Sequence, residues 1–216
     1  MGGLADRLAR MDVAAMRTIA ALYVEHGGTY YGLDGVEPWG LPERDAREYA
    51  GPHPVVAHPP CSRWCRLAGL VEARWGHKKG DDGGHFAAAL AAVRKFGGVL
   101  EHPAWSDAWE HFGLVKPMAG LPGWLRADTK GGHTCYVEQG RFGHPAKKAT
   151  WLYACRAPLL DLRWGAVPDK DVTALVSWCG NRVRSNETRP RLGKKRASRT
   201  PTAFRDELIA MARGVA

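Results

Sequence analysis

The chain has no run of about 18 apolar residues, so no membrane-spanning helix is expected. Its opening stretch, MGGLADRLARMDVAAM, lacks a continuous apolar segment followed by a small-residue cleavage site, which argues against a secretory signal. Cysteine is scarce, and five thiols at irregular spacing do not make a disulfide framework. Cys61 and Cys65, with His58 and His77, match no common ligand spacing, and no Cys-x-x-Cys pair supports them, so no metal site is expected. No internal repeat is present. These absences point to a soluble, cytoplasmic protein with no membrane contact and no obligate protein partner.

What is present is ordinary for a globular chain of 216 residues: 45% hydrophobic and 25% charged, a balance that excludes wholesale disorder. The net charge of +9 favours a polyanionic partner. Its distribution is uneven. Arg182 to Arg199 holds eight basic residues and one acid, Glu187, so this stretch supplies +7 and the rest of the chain only +2. Nine tryptophans are the other anomaly, three of them directly after arginine in Arg63-Trp64, Arg74-Trp75 and Arg163-Trp164. Most read as core, with stacking on a base as the alternative.

Apolar residues fall at helical spacing in 3–11 and 14–24, although Ile19 to Val24 reads equally as a buried strand. Gly27 to Gly51 is rich in Gly and Pro and reads as loop, and the glycine-rich, charged stretch 66–85 as a loop or lid. Between them, 54–58 is a short apolar run suited to a buried strand. Phe86 to Phe96 has Phe86, Leu90 and Val93 on one face, basic residues in its last turn and Gly97-Gly98 as a stop, which predicts a helix. Val99-Leu100-Glu101 then reads as a second strand. This order is a βαβ unit and implies a parallel sheet with a right-handed crossover. Further strands are expected at His133 to Glu138 and Ala149 to Cys155. Cys135, Cys155 and Cys179 lie in apolar stretches and read as core. A final helix, capped by Thr200 with Pro201 in its first turn, has an apolar face of Phe204, Leu208, Ile209 and Met211. The expected fold is α/β, with an α/β catalytic domain over 1–181, a basic segment over 182–199 that is mobile without a partner, and a C-terminal helix over 200–216 packing back on the domain.

Sites in such sheets lie at the carboxyl ends of the strands. Three polar clusters fall there: His58-Pro59-Pro60-Cys61, Glu101-His102-Pro103 and Gln139-Gly140-Arg141, the last followed by Lys147-Lys148-Ala149-Thr150. Two prolines make a rigid turn before Cys61.

In these three motifs, in order and about forty residues apart, residues 45–155 resemble the cytosine-5 DNA methyltransferases, in particular a reduced, bacteriophage-type member. Pro59-Pro60-Cys61 matches the family's Pro-Pro-Cys nucleophile motif, Glu101-His102-Pro103 its Glu-Asn-Val or Glu-Asn-Pro motif, and Gln139-Gly140-Arg141 its Gln-x-Arg-x-Arg motif, with Gly143 in place of the second arginine. The resemblance implies a Rossmann-like, methyltransferase-type parallel sheet, reduced in its N-terminal half, acting as a transferase on DNA in a bacterial or phage-infected cell. Carbon 5 of cytosine becomes nucleophilic only after something adds to carbon 6. The resemblance casts Cys61 as that nucleophile, Glu101 as the N3 partner, and Arg141 with Gln139 as holding the flipped nucleotide. It also implies S-adenosylmethionine, held by Gly27, Gly28, Asp45 and Pro59. Tyr23-Val24-Glu25-His26-Gly27-Gly28 departs from the family's Phe-x-Gly-x-Gly turn by lacking the first glycine, and no long target-recognition domain follows the third motif. Expected DNA contacts are Arg63, Lys147, Lys148, Arg189, Arg191, Lys194, Lys195 and Arg196. The same covalent chemistry with another donor, and a DNA-binding protein without chemistry, remain open alternatives.

Overall fold

The computed structural model describes residues 17–65, 68–176 and 187–216. The helical pattern at 3–11 and the start of 14–24, together with Cys179, Arg182 and Arg184, lie outside the described residues. In chain order the elements are β1 (Ile19–Leu22), β2 (Val36–Trp39), β3 (Val55–Ala57), α1 (Ala68–Trp75), α2 (His85–Phe96), β4 (Gly98–Pro103), α3 (Asp107–His111), β5 (Leu125–Arg126), β6 (Gly132–Glu138), β7 (Ala149–Cys155), β8 (Leu175–Val176), β9 (Arg191–Leu192), α4 (Lys194–Ser198) and α5 (Thr202–Arg213), with short 3₁₀ turns between some of them.

Seven strands form one mixed, mostly parallel sheet in the order β2-β1-β3-β4-β7-β6-β5. The first four run parallel, β7 is antiparallel to both β4 and β6, and β5 is antiparallel to β6. A parallel sheet was the expectation, and it holds for β2, β1, β3 and β4. The hairpin between β6 and β7 overrides it, because a short return connection reverses a strand where a crossover helix would not. The order β2-β1-β3-β4 is doubly wound, and the chain changes direction across the sheet between β1 and β3.

β1, β3 and most of β4 are buried on both faces, as central parallel strands must be. One face carries α2 and α3, where Phe86, Leu90, Val93 and Trp109 pack on Leu22, Ala57, Leu100 and Tyr153. The other carries α5, whose Phe204, Leu208 and Met211 pack on Ala21, Val56, Val99 and Leu152. Gly98 makes the close approach of β3 and β4 possible: its φ is +124°, and a Cβ there would stand 1.9 Å from the Val55 carbonyl oxygen. Asp82 caps α2 by accepting from the Phe86 amide at 2.8 Å, and it also accepts from the Trp64 indole at 2.8 Å. One carboxylate thus anchors the segment after Cys61 to the start of α2.

Several local expectations change. β2 lies inside the glycine- and proline-rich stretch read as loop, paired edge to edge with β1. α1 occupies part of the expected lid. Pro201, not Thr200, is the capping residue of α5. The described part of the basic segment forms β9 and α4, with Leu192 buried against Ala146 and Ala174. Among the described residues, no helix is long and apolar enough to cross a membrane.

Candidate active site

On β3, β4 and β6 an apolar residue is followed, two positions on, by a polar one on the same face. Val56 leads to His58, Val99 to Glu101 and Val137 to Gln139; β7, entering from the same edge because it is antiparallel, places Thr150 before Leu152. The period of two therefore builds a polar row above an apolar floor.

The row is hydrogen-bonded throughout. The Tyr30 hydroxyl, from the loop after β1, lies 2.8 Å from His58 Nε2, and His58 Nδ1 lies 2.9 Å from Glu101 Oε2. Gln139 Nε2 donates to Glu101 Oε1 at 3.0 Å and to Thr150 Oγ1 at 3.0 Å. Tyr30, Glu101 and Gln139 are 2%, 8% and 0% exposed, so these bonds are made away from bulk water. A carboxylate only accepts, which requires N–H on His58 Nδ1 and turns the Gln139 amide so that its nitrogen faces Glu101. Gln139 Oε1 is left buried without a partner. Burial alone would raise the Glu101 carboxyl. The hydrogen bond and electrostatic pull of His58, helped by Lys148, reverse that and hold it at about 2.

Cys61 follows the two prolines and is half-buried; its carbonyl accepts from the amides of Trp64 and Cys65 at 3.0 Å. Burial, then the charges of Cys65 and Glu101, push its thiol up to about 11, against the opposing pull of Lys148. Lys148 is itself shifted down by burial, and its charge is felt by both Glu101 and Cys61. Its ammonium donates to the carbonyls of Ser198 and Arg199 at 2.8 and 2.9 Å, capping the end of α4. Cys61, Glu101 and Lys148 are therefore coupled electrostatically, with Gln139 hydrogen-bonded to the shared carboxylate.

Backbone strain marks the same edge. Of the four non-glycine residues with positive φ among the described residues, three lie here: Tyr23 (61°) after β1, Trp105 (62°) after β4 and Lys148 (43°) before β7. Trp105 is 45% exposed, and its ring centroid is 6.1 Å from that of Tyr136.

His102 points to the opposite face. It is fully buried between Phe86 and Trp109, and burial pushes its imidazole down to about 4. Arg141 stands apart from the row, in the 3₁₀ turn after β6, lining a separate cleft with Arg163.

The residues named for S-adenosylmethionine do not form a cradle. A Cβ on Gly27 would face open space, and one on Gly28 would meet the Glu25 carbonyl oxygen of its own turn at 2.7 Å. Asp45 caps a 3₁₀ turn and is occupied by Arg47, whose Nε lies 2.9 Å from Oδ2. Pro59 is buried. The crevice between the ends of β1 and β3 is filled by Tyr30 and His58, with ring centroids 5.3 Å apart. As a set, these residues do not fit the cofactor.

Among the expected DNA contacts, Arg191, Lys194, Lys195 and Arg196 are exposed, and Lys195 lies 3.5 Å from Glu25 across the edge. Arg63 is half-buried. Lys148 is used within the site. Arg189 forks onto Glu187 at 2.7 and 2.6 Å, and Lys147 faces Asp169 at 3.6 Å. Of the Arg-Trp pairs, Trp64 is buried and Trp75 exposed.

Tyr30, the pairing of His58 with Glu101, and the place of Lys148 beside Cys61 are absent from the sequence reading. The two-residue step from Val56 to His58 was the available signal for His58. Tyr30 lies in a glycine-rich loop with no periodicity at all. No protein-family model, curated protein or solved structure matches the chain.

Proposed function

We propose that the protein is a DNA cytosine-modifying enzyme in which Cys61 adds to carbon 6 of an extruded cytosine. The observation that carries this reading is the convergence of Cys61, Glu101 and Lys148 at one strained, polar strand edge flanked by the basic α4. As the sulfur–carbon 6 bond forms, the carbon 5–carbon 6 π bond breaks and its electron pair moves through carbon 4 to N3, which takes up the proton that the Cys61 thiol gives up, so the net charge is unchanged. Glu101 has unused lone pairs on both oxygens, and its negative charge stabilises the protonated N3. His58 and Gln139 orient that carboxylate, while Lys148 stabilises the developing thiolate. The exposed indole of Trp105 offers a stacking surface beside the site. Methyl transfer to carbon 5 is the reaction that the motif resemblance implies, although the residues named for S-adenosylmethionine do not fit it as a set.

The test uses DNA carrying pyrimidin-2-one, which lacks the 4-amino group and is more electrophilic at carbon 6, so capture needs no donor. Wild-type protein should give a denaturation-resistant adduct, Cys61→Ala none, Glu101→Gln a slower one, and Cys65→Ala an undiminished one. Adduct that survives Cys61→Ala would remove the proposed nucleophile. A DNA-binding protein without chemistry is the second reading, favoured by the high pKa of Cys61 and the filled crevice between β1 and β3. DNA binding with no capture would select it.

A further inference from the structure

The cleft that Arg141 enters, apart from the row but next in the chain to Gln139, is lined by Gly140, Arg141, Arg163, Val167, Pro168 and Asp171 and offers about 420 Å³. That is room for a phosphate ester with its sugar. Its shape depends on glycine: a Cβ on Gly140 would stand 2.6 Å from Val167 Cγ2 and 3.0 Å from the Ala146 carbonyl oxygen. The Val167 wall is held by its amide, which donates to Glu138 Oε2 at 2.7 Å.

Arg163 is fixed before any ligand arrives. Its Nη1 donates to the Arg141 carbonyl at 3.2 Å, and its guanidinium lies 5.2 Å from the centroid of Phe142, which packs on Phe204 of α5. One of its five N–H groups is engaged there, leaving a preorganised fork. Neither Arg141 nor Arg163 has a carboxylate partner in the ion pairs of the described residues, while neighbouring Lys147 and Arg189 both face Asp169. Two guanidiniums against the single carboxylate of Asp171 leave the cleft cationic.

We propose that Arg141 and Arg163 form a phosphate-ester clamp that grips the DNA backbone beside the nucleotide presented to the polar row. The clamp rests on the DNA-binding half of the reading above and is independent of the covalent chemistry. Arg163 lies outside the Gln-x-Arg motif and is joined to it only by the fold.

The test is the salt dependence of binding to a short DNA duplex, followed by fluorescence anisotropy. Arg163→Gln should reduce the log–log slope by about 0.9, which amounts to about eightfold weaker binding at 0.1 M than the contact would otherwise give relative to 1 M salt. Arg163→Lys should keep most of the slope, and Asp171→Asn should tighten binding. An unchanged slope in Arg163→Gln with an unaltered melting curve would overturn the clamp, as would weaker binding by Asp171→Asn or absence of wild-type binding at low salt. Deoxycytidine monophosphate is the second probe: Arg163-dependent binding of it, with no change in duplex slope, would assign the cleft to a free nucleotide and overturn the backbone assignment. Failure of the covalent reading gives a different pattern, namely the slope change without pyrimidin-2-one capture.

Discussion

Replacing Lys148 by methionine removes a positive charge that opposes the upward shift of the Cys61 thiol. The thiol is displaced from 9.0 to about 11, chiefly by burial. At pH 8, the thiolate population then falls from about one in ten to about one in a thousand, a hundredfold loss. The more basic thiolate is the better nucleophile, and a Brønsted slope of about 0.45 over that interval returns roughly eightfold. Iodoacetamide should therefore alkylate Cys61 about tenfold more slowly than an ordinary peptide thiol at pH 8. The rate should climb about tenfold per pH unit and level off only towards pH 11. Lys148→Met should slow it further, and Glu101→Gln, which removes a negative charge acting on the sulfur, should speed it. Mass spectrometry of the peptides containing Cys61 and Cys65 reads both rates in one sample. A Cys61 rate matching the free peptide at pH 8, or a plateau below pH 9, would refute the burial argument. Reversal of the order of the two variants would refute the coupling among Lys148, Glu101 and Cys61.

Stability should fall as pH drops from 6.5 to about 4, because the unfolded chain protonates His102 while the buried imidazole resists it. The loss is at most about 3 kcal/mol by the size of that shift, and urea midpoints of His102→Asn should be flatter across this window. A further loss is expected as the pH falls from 4.5 to about 2, where Glu101 in the folded protein takes up its proton. Tyr30→Phe leaves His58 Nε2 without its partner at 2.8 Å and should cost about 1–3 kcal/mol, read from the same midpoints. An unchanged midpoint would show that Tyr30 does not hold His58.

The strands β3, β4, β6 and β7, helix α2 and helix α5 were legible because their signals are local: apolar runs between breakers, an apolar stripe, glycines at a helix end. For the same reason, Gln139 could be placed at the end of its strand from the chain alone; Glu101, expected to end a strand over 99–101, instead lies within β4, which runs on to Pro103, and Cys61 follows β3 by four residues. β2 escaped notice because its four residues, Val-Glu-Pro-Trp, carry neither alternation nor a buried run, and only pairing with β1 makes them a strand. α1 escaped because its apolar residues form no buried stripe: Leu70 and Trp75 remain exposed and only Ala68 is buried.

By itself, the sequence determined which residues can stand at the carboxyl edge: breakers and periodicity act within a few residues of the chain. Tertiary structure alone decided what those residues touch. The antiparallel entry of β7 brought Lys148 and Thr150 to the edge where β3, β4 and β6 end. The loop after β1 folded Tyr30 onto His58. Arg141, three residues past the end of β6, turned into a cleft with Arg163 and away from Glu101. These groups lie far apart in the chain: Arg141 and Arg163 by 22 positions, Tyr30 and His58 by 28, Cys61 and Lys148 by 87. Their partners are chosen by strand register and by which groups must share the little space inside a sheet's edge, a choice that no local pattern encodes.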